Sequence, residues 1–331
     1  MDLRQLRYFA QIVESGSLSK ASRCLFIAQP ALSQQIAKLE DEVGKPLLQR
    51  SSRGVTPTEN GLALYHHALF VLRQIDQALS IARQDAGAIQ GMVSVGLPAT
   101  TVLAIGLPLM NAIRQQYPGI LLNVVEGMSG HIAQMMRLGQ LDLAILFSND
   151  VSSKLDATAL LEEELFVLFP ESSPYASPGR TSMTVSEVAK LPLILPTSTH
   201  GLRRRVVAEF ERRDLKPHVV AEIDSLSLLM NCVHDGIGAT IKPMSALQLE
   251  GARGRRWRAL SISDARITRR NYLHSISANL LSPAASAVAR EIQDTATRLV
   301  KSGEWRGVRL LDADEQKQYE RRPDEMLPAA E

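Results

Sequence analysis

Apolar residues repeat every three or four positions in three segments between Met1 and Gly44, which is the spacing of amphipathic helices. Ser17 is suited to cap the second segment, and Pro30 occupies the first helical position of the third, where its missing N–H costs no hydrogen bond. Gly44 is a natural residue for leaving that helix. The pattern predicts a head of three short helices.

A basic hairpin is predicted directly after the third helix. Leu47 and Leu48, a Ser/Arg/Gly turn and Thr56 to Thr58 give two short strands around a basic tip. Arginines at such a tip can enter a minor groove or grip phosphates while the preceding helix occupies the major groove. A solvated helix face would look similar, but helix and hairpin together favour DNA binding. The predicted DNA-binding residues are Gln29, Pro30, Ser33, Gln34, Lys38, Arg50 and Arg53.

A long helix is predicted beyond the hairpin. Thr58 can cap it and Glu59 adds negative charge to its first turn. A thin apolar stripe then runs from Leu62 to Ala82, with little else in the chain to cover it. The stripe favours self-association over packing against the same chain. Small residues from Asp85 to Gly91 indicate a hinge.

From Met92 the pattern changes to short apolar strands that alternate with helices, which indicates an α/β fold with a mostly parallel sheet. Helices are predicted at Leu226 to His234 and at Pro283 to Lys301, among others. Residues 303–331 are charged and end in Pro and Ala. They are predicted to form an appended, partly disordered tail.

The run AQPALSQQIAKLEDEVGKPLLQRSSRGVTPTENG, from Ala28 to Gly61, closely resembles the winged helix-turn-helix signature of LysR-type transcriptional regulators. The opening MDLRQLRYFAQIVESGSLSKAS and the later SPAASAV are most similar to the nitrogen-assimilation-control branch. The resemblance implies a DNA-binding domain (1–58), a linker dimerisation helix with hinge (59–90) and an effector-binding domain (91–302). That domain is expected to be a two-lobed fold like a type 2 periplasmic binding protein, with lobe I at 91–161 and 267–302 and lobe II at 162–266.

In LysR-like folds the loops after the strands face a cleft between the lobes. Ligands of open α/β sheets bind beyond the carboxyl ends of strands, where helix N-termini offer free N–H groups. Ser and Thr residues follow three predicted strands, where they could bind an effector or equally serve only as helix caps. No arginine lies in these strand-end loops, so the sequence leaves open whether the effector is an anion. The predicted effector contacts, the last two as walls, are Thr100, Thr101, Ser129, Thr197, Ser198, Thr199, Phe147 and Pro243.

Composition narrows the function classes. The formal net charge is only +2, so a nucleic-acid surface must come from local clustering. The two cysteines have no metal-type spacing, and no leader or bilayer-length apolar run is visible, so a cytoplasmic protein is expected. The chain has no GxSxG, GxxxxGK or HExxH motif. No catalytic residue, metal or cofactor is expected.

The favoured interpretation is a transcription regulator that binds an interrupted palindrome in promoter DNA. Its expected partners are double-stranded DNA, a small-molecule effector with anions among the candidates, further copies of itself in a dimer or tetramer, and RNA polymerase. No membrane is expected among them. Two alternatives stay open: a regulator that responds to its own abundance without an effector, and a solute-binding or catalytic α/β protein with an ancillary DNA-binding head.

Overall fold

The computed structural model describes residues 1–51, 54–82, 89–149, 151–152, 155–175, 177–198, 200–250, 256–276 and 281–321. Arg53, Thr199 and most of the predicted hinge lie outside these residues. The chain divides into two compact units. One contains Met1–Gly91 with Met135–Gln140, and the other contains Met92–Gln134 with Leu141–Glu331.

The first unit carries the predicted three-helix head, its hairpin and the long helix. The hydroxyl of Ser17 accepts a hydrogen bond from the Lys20 amide, and Gly16 and Gly44 adopt the left-handed conformation that ends the first and third helices. The elements are α1 (Leu3–Ser15), α2 (Leu18–Leu25), α3 (Gln29–Val43), β1 (Leu48–Ser51), β2 (Gly54–Pro57) and α4 (Glu59–Ala82).

The hairpin β1–β2 is fixed to the helices by specific hydrogen bonds. The Glu40 carboxylate on α3 accepts from the amides of Leu47 and Leu48 at 2.8 and 3.1 Å, and the Val55 amide donates to the Gly16 carbonyl at 2.9 Å. An apolar core lies beneath these bonds, formed by Phe9, Ile12, Leu18, Ala21, Leu32, Ile36, Leu39, Leu47, Leu48 and Val55. The hairpin β1–β2, called the wing below, is therefore held at a set position relative to α3.

The second unit contains the α/β part of the chain, except for Gln90, Gly91 and Met135–Gln140, which are grouped with the first unit. Its strands are β3 (Gln90–Pro98), β4 (Gly119–Gly127), β5 (Leu143–Leu146), β6 (Leu155–Glu164), β7 (Phe166–Pro170), β8 (Ser182–Met183), β9 (Leu193–Leu195), β10 (Val219–Glu222), β11 (Thr240–Lys242), β12 (Trp257–Ile262), β13 (Thr268–Ile276) and β14 (Val308–Leu310). Its helices are α5 (Ala99–Thr101), α6 (Leu107–Gln116), α7 (Ser129–Arg137), α8 (Val185–Val188), α9 (Gly201–Glu211), α10 (Leu226–His234), α11 (Pro283–Lys301) and α12 (Ala313–Arg321). A π-helical segment, Val102–Gly106, joins α5 to α6, and a 3₁₀ helix spans Met244–Glu250.

The strands form a six-stranded sheet of order β14-β6-β13-β5-β3-β4, a four-stranded sheet of order β11-β7-β12-β8 and the pair β10-β9. The expectation of a mostly parallel sheet is wrong. β3 and β5 are parallel, but β13 runs antiparallel to both β5 and β6. The chain leaves the large sheet along β6 and returns along β13, so these two strands lie side by side in opposite directions.

The segment after Lys301 is folded as far as it is described, so the expectation of a partly disordered tail is wrong for residues 303–321. β14 adds a strand antiparallel to β6, and the Trp305 side chain is 2% exposed. Arg309 bonds Glu315 and Glu162, and the Arg270 guanidinium lies 3.6 Å over the Tyr319 ring. Arg309 and Glu315, two of the charges that suggested disorder, form an ion pair instead, and Tyr319 supplies the ring of a cation–π contact.

Within the described part of the chain, none of the helices combines the length and apolar character that a bilayer-spanning segment requires. The longest helix, α4, carries a charged Glu59 in its first turn and Arg73 near its middle. Its apolar positions are also only partly covered. Leu62 is 46% exposed and Leu79 is 44% exposed.

Candidate functional site

The start of α3 and the first strand of the wing present one polar surface. Ala28 is the N-cap, and Pro30 is the second helical residue rather than the first. Gln29, Gln34 and Lys38 are exposed, as is Arg50 on β1, whereas Ser33 is half-buried. The exposed face therefore contains the side chains that the sequence assigned to DNA, apart from Arg53, which lies outside the described residues.

Two hydrogen bonds organise this surface. Arg50 Nη1 donates to the Ser33 hydroxyl at 3.1 Å, which joins the wing to α3. The Ser19 hydroxyl on α2 donates to Gln29 Oε1 at 2.8 Å. Ser19 was not among the residues predicted from the sequence, although it is the second residue of α2 and its short side chain reaches the start of α3. This bond engages the amide oxygen of Gln29, whose amide nitrogen is a separate hydrogen-bond donor.

Thr100 and Thr101 lie in the short helix α5 rather than in a loop, and Pro98 occupies the N-cap position. The interpretation of these two threonines as helix caps is therefore wrong. Both are buried, at 6% and 1% exposed. Thr100 Oγ1 accepts a hydrogen bond from Arg269 Nη2 at 2.8 Å, across 169 positions of sequence. Strand β13 thus delivers the arginine that the strand-end loops lack.

Arg269 and Glu163 form a buried ion pair on adjacent strands. Their closest atoms are 2.6 Å apart, and the side chains are 3% and 1% exposed. Burial lowers the pKa of Arg269 and the Glu163 carboxylate opposes that shift, so the charged pair persists. Glu163 Oε1 also accepts from the Ser245 hydroxyl at 3.2 Å and from Trp305 Nε1 at 3.3 Å. The carboxylate is fully engaged, and Arg269 is fixed beside Thr100.

The other predicted effector residues are dispersed. Phe147 joins the network of Thr100, Arg269 and Glu163, because the Arg269 guanidinium lies 3.8 Å from the centroid of its ring. Pro243 is buried between β11 and the 3₁₀ helix that carries Ser245. Ser129 begins α7 and is half-buried, with no hydrogen bond to this network among the described residues.

The loop after β9 is shaped by its own contacts. The Thr197 hydroxyl donates to the Asp224 carboxylate at 3.0 Å, and the Thr197 amide bonds the same side chain. Ser198 is exposed, and Thr199 lies outside the described residues. Thr197 therefore stabilises the loop, and the following His200 caps α9 by accepting from the Leu202 amide at 3.2 Å.

Several polar residues of this region escaped the sequence analysis: Glu163, Arg269, Lys242, Thr240, His200, Ser245 and Trp305. A signal existed for three of them. Glu163, Lys242 and Arg269 are charges inside or beside apolar strands, and charged residues are rarely buried unless they have a partner or a ligand. The pairing of these charges depends on strand order, which the sequence pattern does not specify.

Comparison with known proteins gives the family. Residues 3–62 match the profile described as "Bacterial regulatory helix-turn-helix protein, lysR family", and residues 86–297 match the LysR substrate binding domain. The nitrogen assimilation regulatory protein nac of Klebsiella aerogenes is 36% identical over 304 residues, which cover 90% of this chain and 96% of that protein. The protein of the same description from Escherichia coli K12 is also 36% identical and covers 87% and 93%.

Solved structures share the fold. A full-length OxyR variant from Pseudomonas aeruginosa has a TM-score of 0.68 at 22% identity and covers 89% of this chain and 94% of its own. Full-length CbnR complexed with its target DNA has a TM-score of 0.67 at 18% identity, and the match covers 89% of this chain and 100% of the CbnR chain. These likenesses confirm the α/β two-lobed fold with an N-terminal helix-turn-helix. Its profiles and its relatives together make the chain a member of the LysR family of bacterial transcriptional regulators.

Proposed function

We propose that the protein regulates transcription by reading two half-sites of promoter DNA with paired α3 helices and wings, under the control of a small molecule bound in the α/β domain. The observation that carries the DNA-reading assignment is the hydrogen bond from Arg50 to Ser33. This hydrogen bond joins the helix that would contact bases to the wing that would contact phosphates. Because the two side chains are already fixed to each other, DNA binding would require little further ordering of side chains.

The contacts divide by chemistry. Gln29, Ser33 and Gln34 have side chains that can pair with base edges in the major groove, and Pro30 sets the direction of the recognition helix. Lys38, Arg50 and Arg53 carry the positive charge that neutralises phosphates or enters the minor groove. The first set would discriminate between sequences, and the second would bind all sequences to a similar extent.

Pairing of two heads is assigned to α4. Leu62 and Leu79 leave apolar surface uncovered on this long helix, as the thin stripe in the sequence predicts. A second copy that packs along the stripe would bring two recognition helices to one DNA segment, and further association would give a tetramer. RNA polymerase is the expected partner of the assembled complex on the promoter.

The effector is assigned to the region of Thr100, Thr101, Phe147 and Pro243, with the loop Thr197–Thr199 and Ser129 as outer candidates. Thr100 and Phe147 both contact Arg269 there. A ligand would shift DNA binding only if it bound two quaternary arrangements with different affinity. Control by abundance alone remains the alternative for a protein whose Arg269 already has an internal carboxylate partner.

The test is footprinting of the purified protein on its own upstream region at two salt concentrations. Gln29→Ala should weaken protection in a manner that depends on the operator base it faces, by about 1 to 3 kcal/mol. Arg50→Ala should weaken protection of all fragments and reduce the salt slope by about 1. Lys301→Ala, which removes an exposed charge at the end of α11, is the matched control and should change neither.

Equal, salt-sensitive binding of the wild type to every DNA fragment would overturn the proposal that α3 and the wing recognise a specific sequence. Unchanged protection by both Gln29→Ala and Arg50→Ala would overturn the residue assignment. A screen of metabolites by thermal shift separates the modes of control. Unconverted binding supports an effector, and turnover of a bound compound would support the catalytic alternative.

A further inference from the structure

The buried charges around Arg269 do not balance. Lys242 at the end of β11 is 6% exposed, and among the described residues no hydrogen bond or ion pair reaches its ammonium group. Arg269, in contrast, is neutralised by direct contact with Glu163. The Asp224 carboxylate acts on Lys242 electrostatically, but it is exposed to solvent and bonded to Thr197. One buried positive charge is left without a direct counter-ion.

Lys242 lies near the contacts that join Thr100, Arg269 and Glu163. Ser245, three residues further along the chain, donates to Glu163, the partner of Arg269. The 3₁₀ helix that holds Ser245 also lies against α5, the helix of Thr100 and Thr101. The charge of Arg269 lowers the pKa of Lys242, and the charges of Lys242 and Arg269 both lower the pKa of His200.

Hydroxyl groups without partners accompany this charge. Thr240 and Lys242 lie two residues apart on β11 and therefore face the same side of the sheet, while Ile241 between them packs into the opposite core. Thr240 Oγ1 and Thr101 Oγ1 are both buried, and neither has a hydrogen-bond partner in the part of the chain that the structure describes. Buried polar groups are nearly always satisfied in native proteins. An unpaired ammonium and two unpaired hydroxyls on elements that meet here indicate a ligand.

We propose that Lys242 is the charge-recognising residue of an anion site, with Thr101 and Thr240 as its hydrogen-bond donors, and that the effector is a small organic monocarboxylate. This inference rests on the proposed function, since it names the chemistry of the effector site. A single negative charge balances the one uncompensated ammonium. A dianion such as sulfate would leave an excess negative charge beside Glu163, which is costly in a buried environment.

The ionisation of the surrounding groups agrees with this assignment. Burial, and then the charge of Arg269, lowers the pKa of Lys242 to about 7. Burial, and then Lys242 and Arg269, lowers the pKa of His200 to about 4, so this imidazole is neutral near neutral pH. Asp224 and Arg204 are the other charged groups that act on these two side chains. A bound carboxylate would favour the protonated form of Lys242.

The experiment is thermal unfolding of the full chain with acetate, butyrate and phenylacetate, and with succinate and sulfate as dianion probes, each up to about 50 mM. The monocarboxylates should raise Tm of the wild type more than the dianions do. Lys242→Met should raise the half-saturating concentration about tenfold or more, because the charged hydrogen bond is lost. Lys190→Met, at an exposed lysine of the same domain, is the control and should respond like the wild type.

A second readout needs no variant. The Tm gain of the wild type from a monocarboxylate should be larger near about pH 6 than near about pH 9, because Lys242 is protonated only at the lower value while the free carboxylate is ionised at both. Equal gains at both pH values, equal gains in Lys242→Met, larger gains with sulfate, or no gain with any monocarboxylate would each overturn the proposal. Footprints of the wild type and of Lys190→Met without added anion should match each other, and a missing wild-type footprint would instead overturn the proposed function.

Discussion

The indole nitrogen of Trp305 donates to Glu163 Oε1 at 3.3 Å, so a residue beyond the last long helix supports the buried carboxylate that holds Arg269. The two residues are 142 positions apart in sequence. Trp305 is itself 2% exposed, and β14 follows it onto the edge of the large sheet. The segment after α11 is therefore part of the α/β domain and not an accessory to it.

Replacing Trp305 by Phe keeps most of the packing but removes the hydrogen-bond donor. We expect a loss of about 1 to 2 kcal/mol in the free energy of unfolding of the α/β domain, because a buried carboxylate loses one of its partners. Thermal unfolding should report a decrease of about 2 to 8 °C in Tm. Arg306→Ala, at the exposed neighbouring position, should change Tm little, and an equal effect of both variants would contradict the role given to Trp305.

Glu163→Gln tests the ion pair itself. The change leaves the Arg269 guanidinium buried without a counter-charge, which costs about 3 to 5 kcal/mol. Arg266→Ala breaks a pair with Glu162 that is 3.7 Å long, and since the Arg266 side chain is 63% exposed the loss should be at most about 1 kcal/mol. Urea unfolding of the two variants compares them directly. Similar midpoints would mean that Arg269 finds another partner when Glu163 is neutral.

Gly61→Ala should destabilise the head. An added Cβ at Gly61 would lie 1.9 Å from the Leu47 carbonyl oxygen, and backbone cannot move aside as a flexible side chain can. We expect a cost of at least about 3 kcal/mol and loss of DNA binding, because Leu47 leads into the wing. The added Cβ of Gly130→Ala on α7 has no neighbour within 4 Å among the described residues, so this change should be neutral or stabilising by up to about 1 kcal/mol. Normal DNA affinity of Gly61→Ala would show that the helix and wing can separate without loss of function.

The acid stability of the α/β domain should depend on His200. Its pKa is lowered to about 4 in the folded protein by burial and then by Lys242 and Arg269. The unfolded chain, with the ordinary His pKa of about 6.5, therefore binds more protons between these two values. The neutral histidine contributes stability above about pH 6.5, and this contribution is lost as the pH falls toward about 4.

His200→Asn keeps an acceptor at the N-cap position but does not titrate. We expect the wild type to lose about 1 to 3 kcal/mol more than this variant between about pH 7 and pH 4. Chemical unfolding at a series of pH values measures the difference. Parallel pH profiles of the two proteins would mean that His200 is solvated in the folded state.

The sequence by itself determined the local elements and the family. Helical spacing and end signals are local, so α10 and α11 have the predicted bounds, and the head and wing form where Ser17, Gly44 and the paired leucines indicate. The Ala28 to Gly61 run was specific enough to identify the LysR family, which the profile matches confirm. The assignment of individual side chains to DNA stays a prediction.

Only the tertiary structure decided which distant side chains meet. Arg269 reaches Thr100 across 169 positions and Glu163 across 106, because β13 returns to the sheet antiparallel to β6. Periodicity gives the face of a strand but not its neighbour, so the sequence could not show that Arg269 is neutralised while Lys242 is not. The charge and composition of residues 303–331 suggested disorder because they do not show which distant side chains this segment contacts. Glu163 and Glu162, which bond Trp305 and Arg309, both lie on β6, more than 140 positions earlier in the sequence.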